Sequence, residues 1–426
     1  MKKFYSLMLS MAVAATAVAV TPVANRVEKP AKNLELTNVT ISKVTAEKSY
    51  NVNALDSKFK KAPAKAEAES TIAGEYMFMA YLEGENEGEA GDAFVSMFEI
   101  TEPDAEGNCL IKNFLADYYG VETNDLKATL SPIEGYDDIE LLTIGASQDL
   151  FADAKKTGGN PVQPYLYGPF ASQPGYYVFN DPIEFLYYDG YLQGAYKNMG
   201  LFIGYESGNQ LYGFTPIVGY GGEEGYPVEA QKPNATVSYD YETETGSVAE
   251  TSPVVASYID NESYTALVLT NFCNNANMTA FYIDKDAKEA QAIDVYGGTW
   301  SLTVNGVKGS YESYLMSDIS ADQMHYVIDA TLEVDAETGN TNLLVAEPVL
   351  LLTELGYLEK FENTILKTPF KILEGDGNGD ASIENIISDS NAPVEYFNLQ
   401  GVKVANPSNG VYVRRQGNNV SKVLVK

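Results

Sequence analysis

Histidine, tryptophan and cysteine are nearly missing from this chain of 426 residues, which holds one, one and two of them. A structural zinc takes several Cys or His ligands, and a histidine-based triad needs an imidazole to carry a proton. His325 alone, beside Tyr326-Val327-Ile328 at the end of an apolar pattern, points to neither and reads as a strand-end residue. Basic residues are scarce too, with 28 Lys and Arg against 59 Asp and Glu and a formal charge of −31. That field repels nucleic acid and anionic membrane, so no nucleic-acid partner is expected. No stretch beyond the N-terminus reaches the roughly 18 uninterrupted apolar residues of a membrane span, so no transmembrane anchor is expected. Gly-x-Ser-x-Gly, P-loop and His-Glu-x-x-His patterns are missing as well. An enzyme would have to work with carboxylates, tyrosines, serines and lysines.

What the chain does contain starts with an export pattern. Lys2 and Lys3 precede an apolar run from Leu7 to Val20 that includes the small residues Ala17-Val18-Ala19, which reads as a cleaved signal over residues 1–21. No cysteine stands near its end, so a lipid anchor is not expected. Residues 22–70 lack sustained periodicity and close on Lys60-Lys61-Ala62-Pro63-Ala64-Lys65-Ala66-Glu67, a low-complexity run that marks a linker or propeptide-like segment. Cys109 and Cys273 both sit in apolar strand patterns, which favours two buried free thiols over the single disulfide that an oxidising compartment would permit.

From Gly74 onward the chain is strand-rich and reads as built twice. Phe94 to Ile100, a turn, then Cys109 to Phe114 is matched by Val254 to Ile259, a turn, then Tyr264 to Phe272, and both second strands end in Asn-Phe (Asn113-Phe114, Asn271-Phe272). Leu126 to Leu130 with Ile139 to Ile144 is matched by Thr279 to Ile283 with Ala292 to Tyr296. Further on, Leu201 to Tyr205, Glu206-Ser207-Gly208-Asn209 and Leu211 to Pro216 pair in order with Tyr326 to Val334, Glu337-Thr338-Gly339-Asn340 and Leu343 to Pro348. Gly and Asn tolerate the positive φ of tight hairpins, so such a tetrapeptide sets the register of its flanking strands. The expected fold is all-β: two related antiparallel domains at 71–230 and 231–372, each a sandwich or a barrel, because strands recur with turn signals roughly every 8–12 residues and no helices alternate with them.

The first copy carries a tyrosine-rich insertion, with about 17 Tyr or Phe among the 62 residues from Tyr165 to Tyr226. Alternation along 183–188 sets Ile183, Phe185 and Tyr187 on one face and Glu184, Leu186 and Tyr188 on the other. Tyr188, Tyr191 and Tyr196 are therefore the candidates for a ligand-facing group, since a phenol offers an apolar face to a sugar ring and a polar tip to its hydroxyls. The plainer reading makes them cross-strand core pairs. Trp300, after Gly297-Gly298, suits a core or hinge position.

An acidic linker at 373–392 contains Asp376-Gly377-Asn378-Gly379-Asp380, followed by Glu384. It resembles the start of an EF-hand or dockerin calcium loop, in which Asp376, Asn378, Asp380 and Glu384 would supply oxygens. Ala381 stands where the sharp turn wants Gly, and Ile387 where the bidentate Glu belongs. No cofactor is otherwise expected.

Residues 393–426 form a last β-rich unit, its runs separated by Asn406-Pro407-Ser408-Asn409-Gly410 and Gln416-Gly417-Asn418-Asn419. It resembles the C-terminal sorting domain of the type IX secretion route of Bacteroidetes. Tyr396-Phe397-Asn398-Leu399-Gln400-Gly401 matches the opening strand and turn, Gly410-Val411-Tyr412-Val413 the Gly-x-Tyr strand, and the run to Lys426 the closing strand. The resemblance covers about 33 residues and implies an address, outside the cell or on its surface, and partners in the export and sorting machinery. It implies no activity. The expected function is thus an exported, non-enzymatic binding or structural protein that meets a glycan or a surface protein. The alternative is a carbohydrate-active protein, either a glycan-binding module or a carboxylate-pair glycoside hydrolase. A self-associating surface layer, with tyrosine strands at its interface, is a third reading.

Overall fold

A computed structural model describes residues 71–374 apart from 84–89, 135, 152–160, 171–172, 180–181, 197–199, 208–209, 214–216, 219–227, 244, 262, 305–306 and 318–325. It also describes strand backbone at 43–44, 394–397, 410–416 and 419–425. Strands are numbered along the chain from β1 (Lys43–Val44).

The first barrel is a ring of eight antiparallel strands: β2 (Gly74–Glu83), β3 (Ala90–Ile100), β4 (Asn108–Lys112), β5 (Leu126–Ile133), β6 (Tyr136–Ile144), β9 (Ile183–Tyr188), β10 (Tyr191–Gly194) and β14 (Glu229–Gln231). Each pairs with the next, and β14 returns to β2 through Glu229↔Met79, Ala230↔Phe78 and Gln231↔Met77. The second barrel repeats the plan with β15 (Ala235–Thr243), β16 (Gly246–Asp260), β17 (Thr265–Thr270), β18 (Thr279–Asp284), β19 (Glu289–Ile293), β22 (Val327–Val334), β23 (Thr341–Val345) and β25 (Gly356–Lys367), and β25 closes on β15. The fold is therefore all-β with two closed barrels, which decides between sandwich and barrel.

Both rings are interrupted at the same two points. Between the fifth and sixth strands lies a hairpin, β7 (Gln163–Phe170) and β8 (Gln173–Phe179) in the first copy, β20 (Val295–Val304) and β21 (Val307–Met316) in the second. Between the seventh and eighth lie β11 (Gly200–Ser207), β12 (Gln210–Gly213) and β13 (Ile217–Val218), or β24 (Val349–Thr353). The two insertions pair with each other, β7 with β11 and β21 with β24, to build a side sheet that rejoins its barrel at β2 or β25. Lys43 and Val44, inside the stretch read as linker, add β1 in parallel to β8. At the end of the chain β26 (Val394–Phe397), β27 (Gly410–Gln416) and β28 (Asn419–Val425) form a three-stranded antiparallel sheet.

An eight-stranded barrel is just wide enough for side chains to fill it. Aromatic rings fill the first: Tyr76 stacks on Phe98 at 5.5 Å between centroids, and Phe114 meets Phe78 and Phe98 edge-on at 5.4 and 5.7 Å. The second is more aliphatic, built on Val237, Leu267, Leu269, Ile328 and Leu366 around Phe272, Phe281 and Phe361. The Asn-Phe repeat marks one corner in both copies. Asn113 and Asn271 take left-handed backbone, φ 60° and 72°, which turns the chain and drives Phe114 and Phe272 into the core. Asparagine tolerates that conformation far better than a β-branched residue. Matching these corners and the partners Ile100↔Ile111 and Ala256↔Leu269 makes Ser96 and Ser252 counterparts, both buried.

One expected correspondence does not hold. The turn after Glu206 joins the side-sheet strands β11 and β12, whereas Glu337-Thr338-Gly339-Asn340 joins the barrel strands β22 and β23. The counterpart of the second turn is Asp189-Gly190, between β9 and β10, with φ of 39° and 81° as a two-residue hairpin of the primed kind requires.

Removing the corner ring by Phe272→Ala should lower the unfolding free energy by about 3–5 kcal/mol, while Met278→Ala, at an exposed site, should stay within about 0.5 kcal/mol. Guanidinium denaturation of the two variants checks this, and equal effects would refute the packed corner.

Candidate functional site

The hairpin β9–β10 separates two apolar layers. Ile183, Phe185, Tyr187 and Leu192 enter the first barrel, as alternation predicts for the first three. Leu186, Tyr191 and Tyr196 instead pack with Ile139, Leu141, Leu166 and Phe179 in a layer between barrel and side sheet, and Tyr188 lies against it. The structure thus brings the three tyrosines singled out from the sequence into one neighbourhood, but as packing. Tyr191 and Tyr196 are only 5% and 6% exposed, so their faces meet protein rather than a ligand, and Tyr188 is half-buried. Tyr196 donates its hydroxyl to the Glu184 carboxylate. Burial, and then the Glu229 carboxylate bonded to its hydroxyl, push the Tyr191 phenol far above its ordinary value. Burial, Asp189 and Asp138 raise Tyr188.

Asp376, Asn378, Asp380 and Glu384, the candidate calcium ligands, lie outside the described residues, as does His325. Among the described residues no group of three or more His, Cys, Asp or Glu side chains is arranged to hold a metal ion. Cys109 and Cys273 are free and buried in different barrels, and burial raises both thiols, which keeps them protonated and unreactive. Two of the three carboxylates held low among the described residues are turn builders: Asp104 accepts from the Asn108 side chain and backbone, and Asp335 from the backbone and hydroxyl of Thr338, while Asp260 is lowered against its partial burial by Lys285 and the Thr265 hydroxyl. Trp300 is half-buried against the second core and donates its indole N–H to Ser313 Oγ at 3.0 Å.

The second barrel's side sheet carries an aromatic row that the sequence does not announce. Tyr296 on β20 and Tyr314 on β21 are cross-strand partners with centroids 5.8 Å apart, and Tyr326 stacks on Tyr314 at 4.8 Å and 19°. All three are half-buried and ringed by oxygen. The Tyr296 hydroxyl lies 2.6 Å from Thr299 Oγ1, Tyr314 donates to Glu312 at 3.2 Å, and Tyr326 N–H donates to Asp294 at 2.9 Å. Partial burial and the Glu312 carboxylate push Tyr314 up to about 12. Ring edges beside carboxylates suit a polyhydroxylated ligand. The three tyrosines come from separate segments, and only strand register gathers them.

No protein-family model matches the chain, and no curated protein or solved structure is detectably similar.

Burial also raises Tyr76, Tyr165 and Tyr239. The folded chain favours the neutral phenol, so the stability these groups contribute is complete below the unfolded tyrosine pKa of about 10 and is lost as the pH climbs toward their folded values. Far-UV dichroism and phenolate absorbance followed together should show stability level up to about pH 10, then falling, with most phenolates appearing as the fold is lost. Complete ionisation of an intact fold would contradict this.

Proposed function

We propose that this is an exported, non-enzymatic binding or structural protein of the cell surface or its surroundings. The observation that carries the reading is that both barrels are filled by their own side chains, Tyr76, Phe78, Phe98 and Phe114 in one and Phe272, Phe281 and Phe361 in the other. Their working surfaces are then outside, on side sheets, edges and loops. The signal-like start and the tail resembling a sorting domain support the address, and the sorting machinery is the partner that the tail serves. Among the described residues no helix is long and apolar enough to cross a membrane.

A carbohydrate-binding role is the second reading, and the row Tyr296, Tyr314, Tyr326 favours it as a partly exposed aromatic surface with carboxylates at hand. Tyr188, Tyr191 and Tyr196 support it less, because their rings form a packed layer.

Two experiments test these readings. Deleting residues 393–426 should leave the protein inside the cell envelope and shielded from protease added outside, whereas equal surface exposure of the truncated chain would remove the address. On a glycan array, Tyr314→Ala should lose at least about tenfold in affinity for any glycan the full chain retains. Ordinary enzymatic turnover of a polysaccharide or peptide by the purified full chain would overturn the non-enzymatic reading.

A further inference from the structure

The two barrels treat one strand edge differently. Counterparts 90–97 on β3 and 246–253 on β16 both lie beyond the reach of the next strand, since β4 pairs only with Glu99 and Ile100, and β17 only with Val255 to Asp260. In the first barrel the chain leaving the Asn-Phe corner folds into helix α1 (Ala116–Tyr119) over that edge. Asp117 accepts the Met97 N–H at 3.1 Å, the Tyr118 ring lies 4.6 Å from that of Phe94, and Asp92 accepts Thr299 N–H at 3.3 Å from the second barrel. No described residue from 91 to 97 is fully exposed. In the second barrel the same corner turns back on itself through the bridge Phe272↔Asn275, and Asn271 reaches only as far as the Pro253 carbonyl, at 2.9 Å. Gly246 to Thr251 are all exposed, Val248 at 54%, and among the described residues no strand pairs with their outer side.

An unpaired edge offers a row of N–H and C=O groups to an incoming strand, and natural proteins blunt such edges with lysine, proline, a bulge or a cover. This one has Pro253 at one end and no lysine. By register Asp240 and Glu242 on β15 lie on one face of its hairpin and Glu250 on β16, opposite Tyr239, on the other, so carboxylates flank both faces, beside a shallow depression lined by Ser238, Asp240, Glu250, Thr251 and Asn363. Residues 71–374 as a whole carry 48 Asp and Glu, 12 Lys and no Arg. Like charges oppose the docking of another barrel edge, and opposite charges favour a cationic strand.

We propose that the outer edge of β16, from Gly246 to Pro253, is an acceptor site at which an extended lysine- or arginine-bearing peptide of a partner protein adds as a strand. Main-chain hydrogen bonds supply affinity, and the acidic rim selects the charge. This names a partner chemistry for the surface-component reading and rests on it, but it is measured on purified protein and can fail while the address stands.

The probe is a Val-Lys repeat peptide of strand length, titrated into the full chain and followed by fluorescence anisotropy and amide hydrogen exchange. It should bind, and it should slow exchange within 246–253. The same peptide N-methylated at alternate residues, which cannot pair, should bind at least about tenfold more weakly, as should a Val-Glu repeat. Glu250→Lys, an exposed change that leaves the core untouched, should weaken the Val-Lys peptide by about fivefold. The proposal is overturned if there is no binding at about 1 mM. Protection mapping elsewhere overturns it too, as does equal affinity for the N-methylated peptide.

Discussion

Each barrel depends on the pairing of its first strand with its last. That contact joins residues about 120 to 154 positions apart, so it carries a chain-entropy cost that local hairpins avoid. In the first barrel it is only three residue pairs long, Met77 to Met79 against Glu229 to Gln231. The segment Lys232-Pro233-Asn234 reinforces the closure of the first ring and the opening pair of the second. Lys232 Nζ donates to the carbonyls of Thr71 and Ala73 at 2.6 and 2.8 Å and sits 5.5 Å from the centre of the Tyr76 ring, which ties the exit of the first barrel to its entrance. Two residues on, the Asn234 side chain bonds Ala256 twice, at 2.8 and 2.9 Å, and extends the opening pair of the second. One short linker thus ends one ring and starts the next.

Closure also explains where the additions lie. Where neighbouring ring strands are paired along their length a closed meander offers no edge to lengthen, so extra strands enter between consecutive ring strands and must find an apolar face of their own. Both copies accept them between the fifth and sixth and between the seventh and eighth strands, and in both the two insertions pair together. In the first copy the side sheet needs a second layer, and Leu186, Tyr191 and Tyr196 supply it from the outer face of the barrel. Its tyrosine density follows from this, because a phenol covers a large apolar area and still satisfies its hydroxyl on a carboxylate such as Glu184 or Glu229.

Much of this was legible in the residues, and the parts that were not share one cause. Alternation in Ile183 to Tyr188 placed Phe185 and Tyr187 inside correctly, and the Asn-Phe corners identified equivalent points of the two rings. Alternation says which residues share a face, not whether the other face meets water or a second sheet, and so Tyr191 and Tyr196 stayed open between a ligand-facing group and core pairs; they are enclosed. The Glu-Ser-Gly-Asn and Glu-Thr-Gly-Asn turns misled for a related reason. A hairpin turn reports the register of its own two strands, and the same chemistry serves a side sheet as well as a barrel. Tyr296, Tyr314 and Tyr326 could not be grouped without knowing that β20 pairs with β21 and that the chain returns beside them.

With interiors packed and rings closed, difference between the two copies is concentrated outside, and charge governs what can approach it. Of the lysines in the barrels, several are already engaged: Lys232 clamps backbone carbonyls, Lys112 pairs with Glu99, Lys285 with Asp260, and Lys360 with Glu362. Such partly exposed pairs add little stability individually, but they take much of the small positive charge out of play. What faces solvent is therefore dominated by carboxylates, and copies of the protein repel one another at distances within the screening length of about 8 Å at physiological salt. A neighbour that approaches closely must bring positive charge or a surface able to use ring edges and hydroxyls. Ring closure, by filling the interior, leaves recognition to that exterior.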